Sequence, residues 1–82
     1  MAAFTLGRLK LEELGKPSEA ARAFEEARRL APKGPLAEDA LAREVEAWVK
    51  AGEADKASAA ATEYKKRYPR GVRLEWVRSL TR

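Results

Sequence analysis

The sequence predicts an all-helical chain, and three observations carry that prediction. No stretch of the 82 residues alternates apolar and polar side chains with the period of two that a half-buried strand requires. Apolar residues recur instead every three or four positions, the spacing of one helix face. The punctuation is four Gly/Pro clusters, Gly15-Lys16-Pro17, Pro32-Lys33-Gly34-Pro35, Gly52-Glu53 and Pro69-Arg70-Gly71, which cut the chain into five segments.

The first segment, residues 2–14, carries Phe4, Leu6, Leu9, Leu11 and Leu14, a stripe wide enough to need cover on two sides. The second, 17–31, opens with Pro17, whose missing N–H would be unpaired in a first turn anyway. Ala20, Phe24, Ala27 and Leu30 or Ala31 share one face, and Arg22, Glu25, Glu26, Arg28 and Arg29 are expected in solvent on the other. The third, 35–51, places Glu38 and Asp39 where carboxylates suit the positive end of a helix dipole. Its stripe is Ala37, Leu41, Val45 and Trp48, flanked by Leu36, Ala40 and Val49. The fourth, 54–68, has Ala54, Ala57, Ala60 or Ala61, Tyr64 and Tyr68 on its face, with the tyrosine hydroxyls expected at the surface. The fifth, 72–81, shows Val72, Trp76, Val77 and Leu80.

Composition narrows the function. The chain has 17 Lys and Arg against 13 Asp and Glu, a net charge of +4, with no Cys and no His. Disulfides and Cys/His metal sites are excluded, as are the Ser-His-Asp triad and any imidazole base. Adjacent carboxylates at Glu12-Glu13, Glu25-Glu26 and Glu38-Asp39 point about 100° apart on a helix and do not converge on one metal or proton. Nothing in the sequence asks for a cofactor. No apolar run approaches the ~20 residues that span a bilayer, and no secretory signal is read ahead of the first helix. A small, single, non-catalytic helical domain is expected, resting on packing alone.

Sliding the sequence by 37 residues superposes Gly15 on Gly52, Ala20 on Ala57, Ala23 on Ala60, Pro32 on Pro69 and Gly34 on Gly71. The same shift pairs Phe4 with Leu41 and Leu11 with Trp48. Two copies of one helix–turn–helix hairpin are the simplest reading, and such a period marks a helical solenoid. Small Ala20 and Ala57 would let paired helices approach closely, with large residues filling the space beside them.

Phe4, Leu11, Gly15, Ala20, Phe24, Ala27 and Pro32, followed by Leu41, Trp48, Gly52, Ala57, Ala61, Tyr64 and Pro69, resemble the tetratricopeptide repeat family. The first copy departs from that pattern at Gly7 and Arg8, although Leu6-Gly7 would meet it with a slip of one residue. The second exchanges Phe24 and Ala27 for Ala61 and Tyr64, a volume swap between neighbouring turns. The resemblance implies a solenoid with repeat one at 1–34, repeat two at 35–71 and a capping helix at 72–82. Its texture is similar to repeats of bacterial cell-envelope proteins, namely outer-membrane lipoprotein assembly factors and sigma-factor regulators of the ferric-citrate type. That favours a periplasmic or envelope setting, with the cytoplasm equally compatible with the absence of Cys.

In that family the first helix of each repeat lines a binding groove. The resemblance puts Thr5, Leu9, Glu12 and Glu13 there from the first helix, and Asp39, Ala42, Glu46, Val49 and Lys50 from the third. These residues lack the donors that grip a peptide's C-terminal carboxylate, and suit a segment of basic and apolar character instead. The expected function is therefore a protein–protein interaction module, a scaffold or adaptor segment of a larger bacterial protein. Its partner is a protein or peptide, the rest of a longer chain, or a second copy. The last follows from Phe4, Leu6 and Leu9, which cannot all face one internal neighbour.

Residues 65–82 carry seven cations against Glu75 alone, so the whole positive excess is C-terminal. Lys65, Lys66, Arg67, Arg70, Arg73 and Arg78 form the alternative site, an anion-binding patch for nucleic acid or lipid. A solvated face explains the same run, and nucleic acid and membrane surfaces are the disfavoured partners. Trp48 and Trp76, at helical spacing, are expected to pack rather than bind.

Overall fold

The computed structural model describes residues 2–81, and every regular element among them is helical. Helix α1 spans Ala3–Arg8 and runs directly into a π-helical turn at Leu9–Glu13. Helices α2 (Pro17–Leu30), α3 (Ala37–Lys50), α4 (Ala54–Arg67) and α5 (Leu74–Leu80) follow. Each lies within the segment read from the sequence. The fifth starts later than expected because Gly71 to Leu74 is a turn, and Arg82 lies outside the described residues.

The 37-residue shift recurs in the backbone. Gly34 N–H bonds to Ala31 C=O at 2.9 Å, and Gly71 N–H to Tyr68 C=O at 2.9 Å. Ala37 N–H then bonds to Gly34 C=O, and Leu74 N–H to Gly71 C=O, both at 3.1 Å. Dihedral angles agree as well: Ala31 has φ −140° and ψ 67°, Tyr68 φ −130° and ψ 63°. Proline at the second position and glycine at the fourth suit each of the two turns that open on Ala31 and Tyr68. By this register α5 stands to α4 as α3 stands to α2.

The hairpin turns depend on Gly15 and Gly52, at φ +60° and +75°, where other residues are strained. After α3 the chain closes by a Schellman arrangement, with Glu53 N–H on Trp48 C=O and Gly52 N–H on Val49 C=O, each at 3.0 Å. The equivalent bond after the first helix would join Lys16 to Leu11. Lys16 N–H reaches Lys10 C=O instead, at 2.8 Å, and Leu14 N–H reaches Leu9 C=O. The first helix thus holds one residue more than α3 over the same path, and the π-helical turn accommodates it. Gly7 sits against Phe24, so close that a Cβ there would lie 2.8 Å from two ring carbons.

Helix α3 is central, with α2, α4 and α5 against it, and α1 packs on α2. Lys10–Glu19 (2.5 Å) and Glu38–Tyr64 (2.7 Å) each join residues roughly equidistant from the turn between their helices, so the first helix and α2, and likewise α3 and α4, fold back antiparallel. The ion pair Arg28–Glu44 (2.8 Å) joins α2 to α3. Ala20, Ala57 and Ala60 are buried at the seams, as expected. Phe24, Leu41, Val45, Tyr64 and Val77 are the largest fully buried side chains, and Phe4 meets Phe24 edge-on at 5.5 Å.

Several expected stripe members are not core. Leu30 is 68 % exposed and Val72 93 %, because each stands at or beyond a helix end with no neighbour across from it. Leu36 and Ala54 are also exposed. The Tyr64 hydroxyl is not at the surface. It lies inside, donating to Glu38 Oε2 at 2.7 Å and accepting from Arg73 N–H at 3.1 Å.

Candidate functional site

Residues three and four apart share one side of a helix. On α3 that rule aligns Asp39, Arg43, Glu46 and Lys50, alternating in sign, and all four reach the surface wholly or in part. Arg43 Nη1 lies 3.3 Å from Glu46 Oε1, and Lys50 Nζ 3.4 Å from Glu46 Oε2. From the turn before α5, Arg73 Nε reaches Asp39 Oδ1 at 2.7 Å. Asp39 Oδ1 and Arg43 Nε are buried atoms with no well-aligned hydrogen bond, so their charges are met by ion pairing within this ladder. The guanidinium carbons of Arg43 and Arg73 each sit 5.6 Å from the centre of the Trp76 ring. Such cation–π contacts hold the indole, half-buried, beside the charged stripe.

At about 100° per residue, Glu44 and Trp48 fall on the opposite side of α3. They floor a furrow of about 550 Å³ between α2 and α4. Trp48 is buried there, with Lys56 Nζ at 4.8 Å and Arg22 Cζ at 5.8 Å from its ring. Burial pushes the Glu44 carboxyl up, against the opposing pull of the Arg28 guanidinium. Burial is the largest single effect on Arg28 and lowers it, but the hydrogen bond to Glu44 and the charges of Glu44, Glu25 and Glu63 together outweigh it and hold Arg28 above its ordinary value.

The groove residues inferred from the sequence do not meet as one surface. Thr5, Leu9, Glu12 and Glu13, with Arg8, line a shallow depression of their own on the first helix. Asp39, Glu46 and Lys50 belong to the α3 ladder. Val49 is 39 % exposed and lines a separate hollow with Ala57 and Leu80. Ala42 is fully buried and touches no solvent. The resemblance puts Ala42 in the groove, but with α2, α4 and α5 all packed on α3 that position keeps no accessible surface. Arg43 and Trp76, absent from the expected set, complete the site. The i, i+4, i+7 spacing of Asp39, Arg43 and Glu46 was the signal available for Arg43.

The basic C-terminal run is divided rather than gathered. Arg67 pairs with Glu63 on the furrow side, holding that carboxyl below its usual range. Arg73 pairs with Asp39 on the ladder side, and Arg78 with Glu75 at 2.9 Å. Lys65, Lys66 and Arg70 are exposed and have no ion pair among the described residues. The six cations therefore face at least two opposite sides of the domain.

Five packed helices with a charged, aromatic-edged stripe define an all-α protein. A scan against family models finds no match, and searches of curated proteins and of solved structures find none either.

Proposed function

We propose that the chain is a tetratricopeptide-like solenoid acting as a non-catalytic protein-interaction module, with the Asp39–Lys50 ladder and Trp76 as its contact surface. The observation that carries this reading is the ladder itself: alternating charges held in register beside an aromatic ring supply both specificity and an apolar anchor. The repeated turns at a 37-residue interval, and the placing of α5 as a third first-helix, support the solenoid. A complementary partner segment would carry its own alternating charges beside an apolar side chain.

A photo-crosslinking residue at Lys50, compared with one at exposed Ala59 on the furrow side, tests the reading. The expected result is one discrete crosslinked protein from position 50 only, lost when Arg43→Gln breaks the ladder. Equal crosslinking from both positions, or none from position 50, would overturn it.

The second reading, an anion-binding module, rests on Lys65, Lys66 and Arg70, the members of the C-terminal basic run without carboxylate partners among the described residues. Binding to duplex DNA or anionic vesicles that falls steeply with salt would support it, and no binding at low salt would remove it.

A further inference from the structure

Between the N-terminal end of α1, the C-terminal end of α2 and the turn before α3 lies a notch of about 210 Å³. Its walls are alkyl and aromatic carbon from Phe4, Ala27, Leu30, Pro35 and Leu36, with Gly34 at the base. The 37-residue register shows what occupies the same place one unit later. Ala27 corresponds to Tyr64 and Ala31 to Tyr68, and those two rings lie 5.3 Å apart, tilted at 45°, in the second unit. The Tyr64 phenol passes over Gly71, where a Cβ would overlap its oxygen, and takes the N–H of Arg73.

In the first unit the receiving parts are present and the phenol is not. Gly34 stands where Gly71 does, and the three atoms nearest a Cβ on it would all belong to Ala31. Leu36 stands where Arg73 does, and its N–H has no hydrogen-bond partner among the described residues. Leu30 and Leu36 remain 68 % and 51 % exposed at the rim. An apolar cavity of about 150 Å³ is enough to hold benzene. We propose that this notch is a docking site for a tyrosine side chain presented by a partner protein, its ring between Phe4 and Leu36 and its oxygen on the Leu36 N–H. The site is separate from the α3 ladder and does not depend on it.

Amide NMR with p-cresol, toluene and the peptide acetyl-Gly-Gly-Tyr-Gly-Gly-amide as probes tests this. The expected result is saturable movement of the Leu36 and Gly34 resonances, with p-cresol at least threefold tighter than toluene and the peptide no weaker than p-cresol. Ala31→Tyr, at a backbone conformation that Tyr68 already adopts, should abolish binding. Intermolecular NOEs from p-cresol to Phe4 and Ala27 in the unaltered protein give the same answer should that variant not fold. No saturable shift, or equal binding of toluene and p-cresol, would overturn the proposal. So would a tenfold weaker peptide, which would mark a pocket for free phenols.

Discussion

Tyr64 donates its phenolic proton to Glu38 across 26 residues of sequence, joining the last turn of α4 to the first turn of α3. The same oxygen accepts the N–H of Arg73, so one buried atom ties three helices together.

Tyr64→Phe should therefore cost about 1–3 kcal/mol, because it leaves a carboxylate oxygen and an amide without partners. In a domain of this size each kcal/mol lowers the melting temperature by roughly 4–8 °C. Thermal melts near neutral pH read this directly.

The pH dependence has a definite sign. Burial, then the hydrogen bond to Glu38, pushes Tyr64 up to about 12, against an ordinary value of 10.0. A group raised in the folded state contributes stability that is complete below its unfolded value and is lost as pH climbs to the folded one. Urea titrations should show the native protein losing stability relative to Tyr64→Phe between pH 10 and 12.

Glu44 gives an acid-side counterpart. Its raised carboxyl means that stability falls as pH rises above the ordinary value of 4.5 through the folded one. Glu44→Gln removes that titration, so its stability relative to the native protein should increase over the same window. Urea midpoints of both proteins at closely spaced pH values above 4.5 check it. A constant difference would show that Glu44 titrates normally.

Gly7→Ala should destabilise the protein although alanine is the better helix former. Alanine gains about 0.5–1 kcal/mol of helix propensity. The new Cβ, however, would press on Phe24 at 2.8 Å, and overpacking of that kind costs about 1–3 kcal/mol. Phe24→Leu in the same chain should recover part of the loss, measured by denaturant midpoint in the four proteins of the cycle.

Deleting Lys10 should leave a cooperatively folding protein, since the π-helical turn holds one residue beyond what the path requires. Deleting Glu46, in the regular α3, should abolish the cooperative melt because it rotates every earlier core residue of α3 by about 100°. Circular dichroism on the two deletions separates them.

Helices and turns were legible because they are written locally, in Gly15, Gly52, Pro32 and Pro69 and in the three-four spacing of apolar residues. The π-helical turn was not legible, since no residue type marks a surplus position. Ala42 was misplaced because a resemblance in repeat pattern does not say how many neighbours surround a helix. The pairing of Arg28 with Glu44 and the inward turn of the Tyr64 hydroxyl depend on contacts between helices. Arg67 and Arg73, close in sequence, part company because the turn between them sends their helices to different sides.

The joint that follows α2 and recurs after α4 is set by a handful of consecutive residues bonded mainly to one another. Interior packing on either side has meanwhile diverged, phenylalanine and alanine in one unit answering alanine and tyrosine in the next. Bend and filling thus rest on different residues, and substitutions in the interior of either unit can leave the joint beside it unchanged.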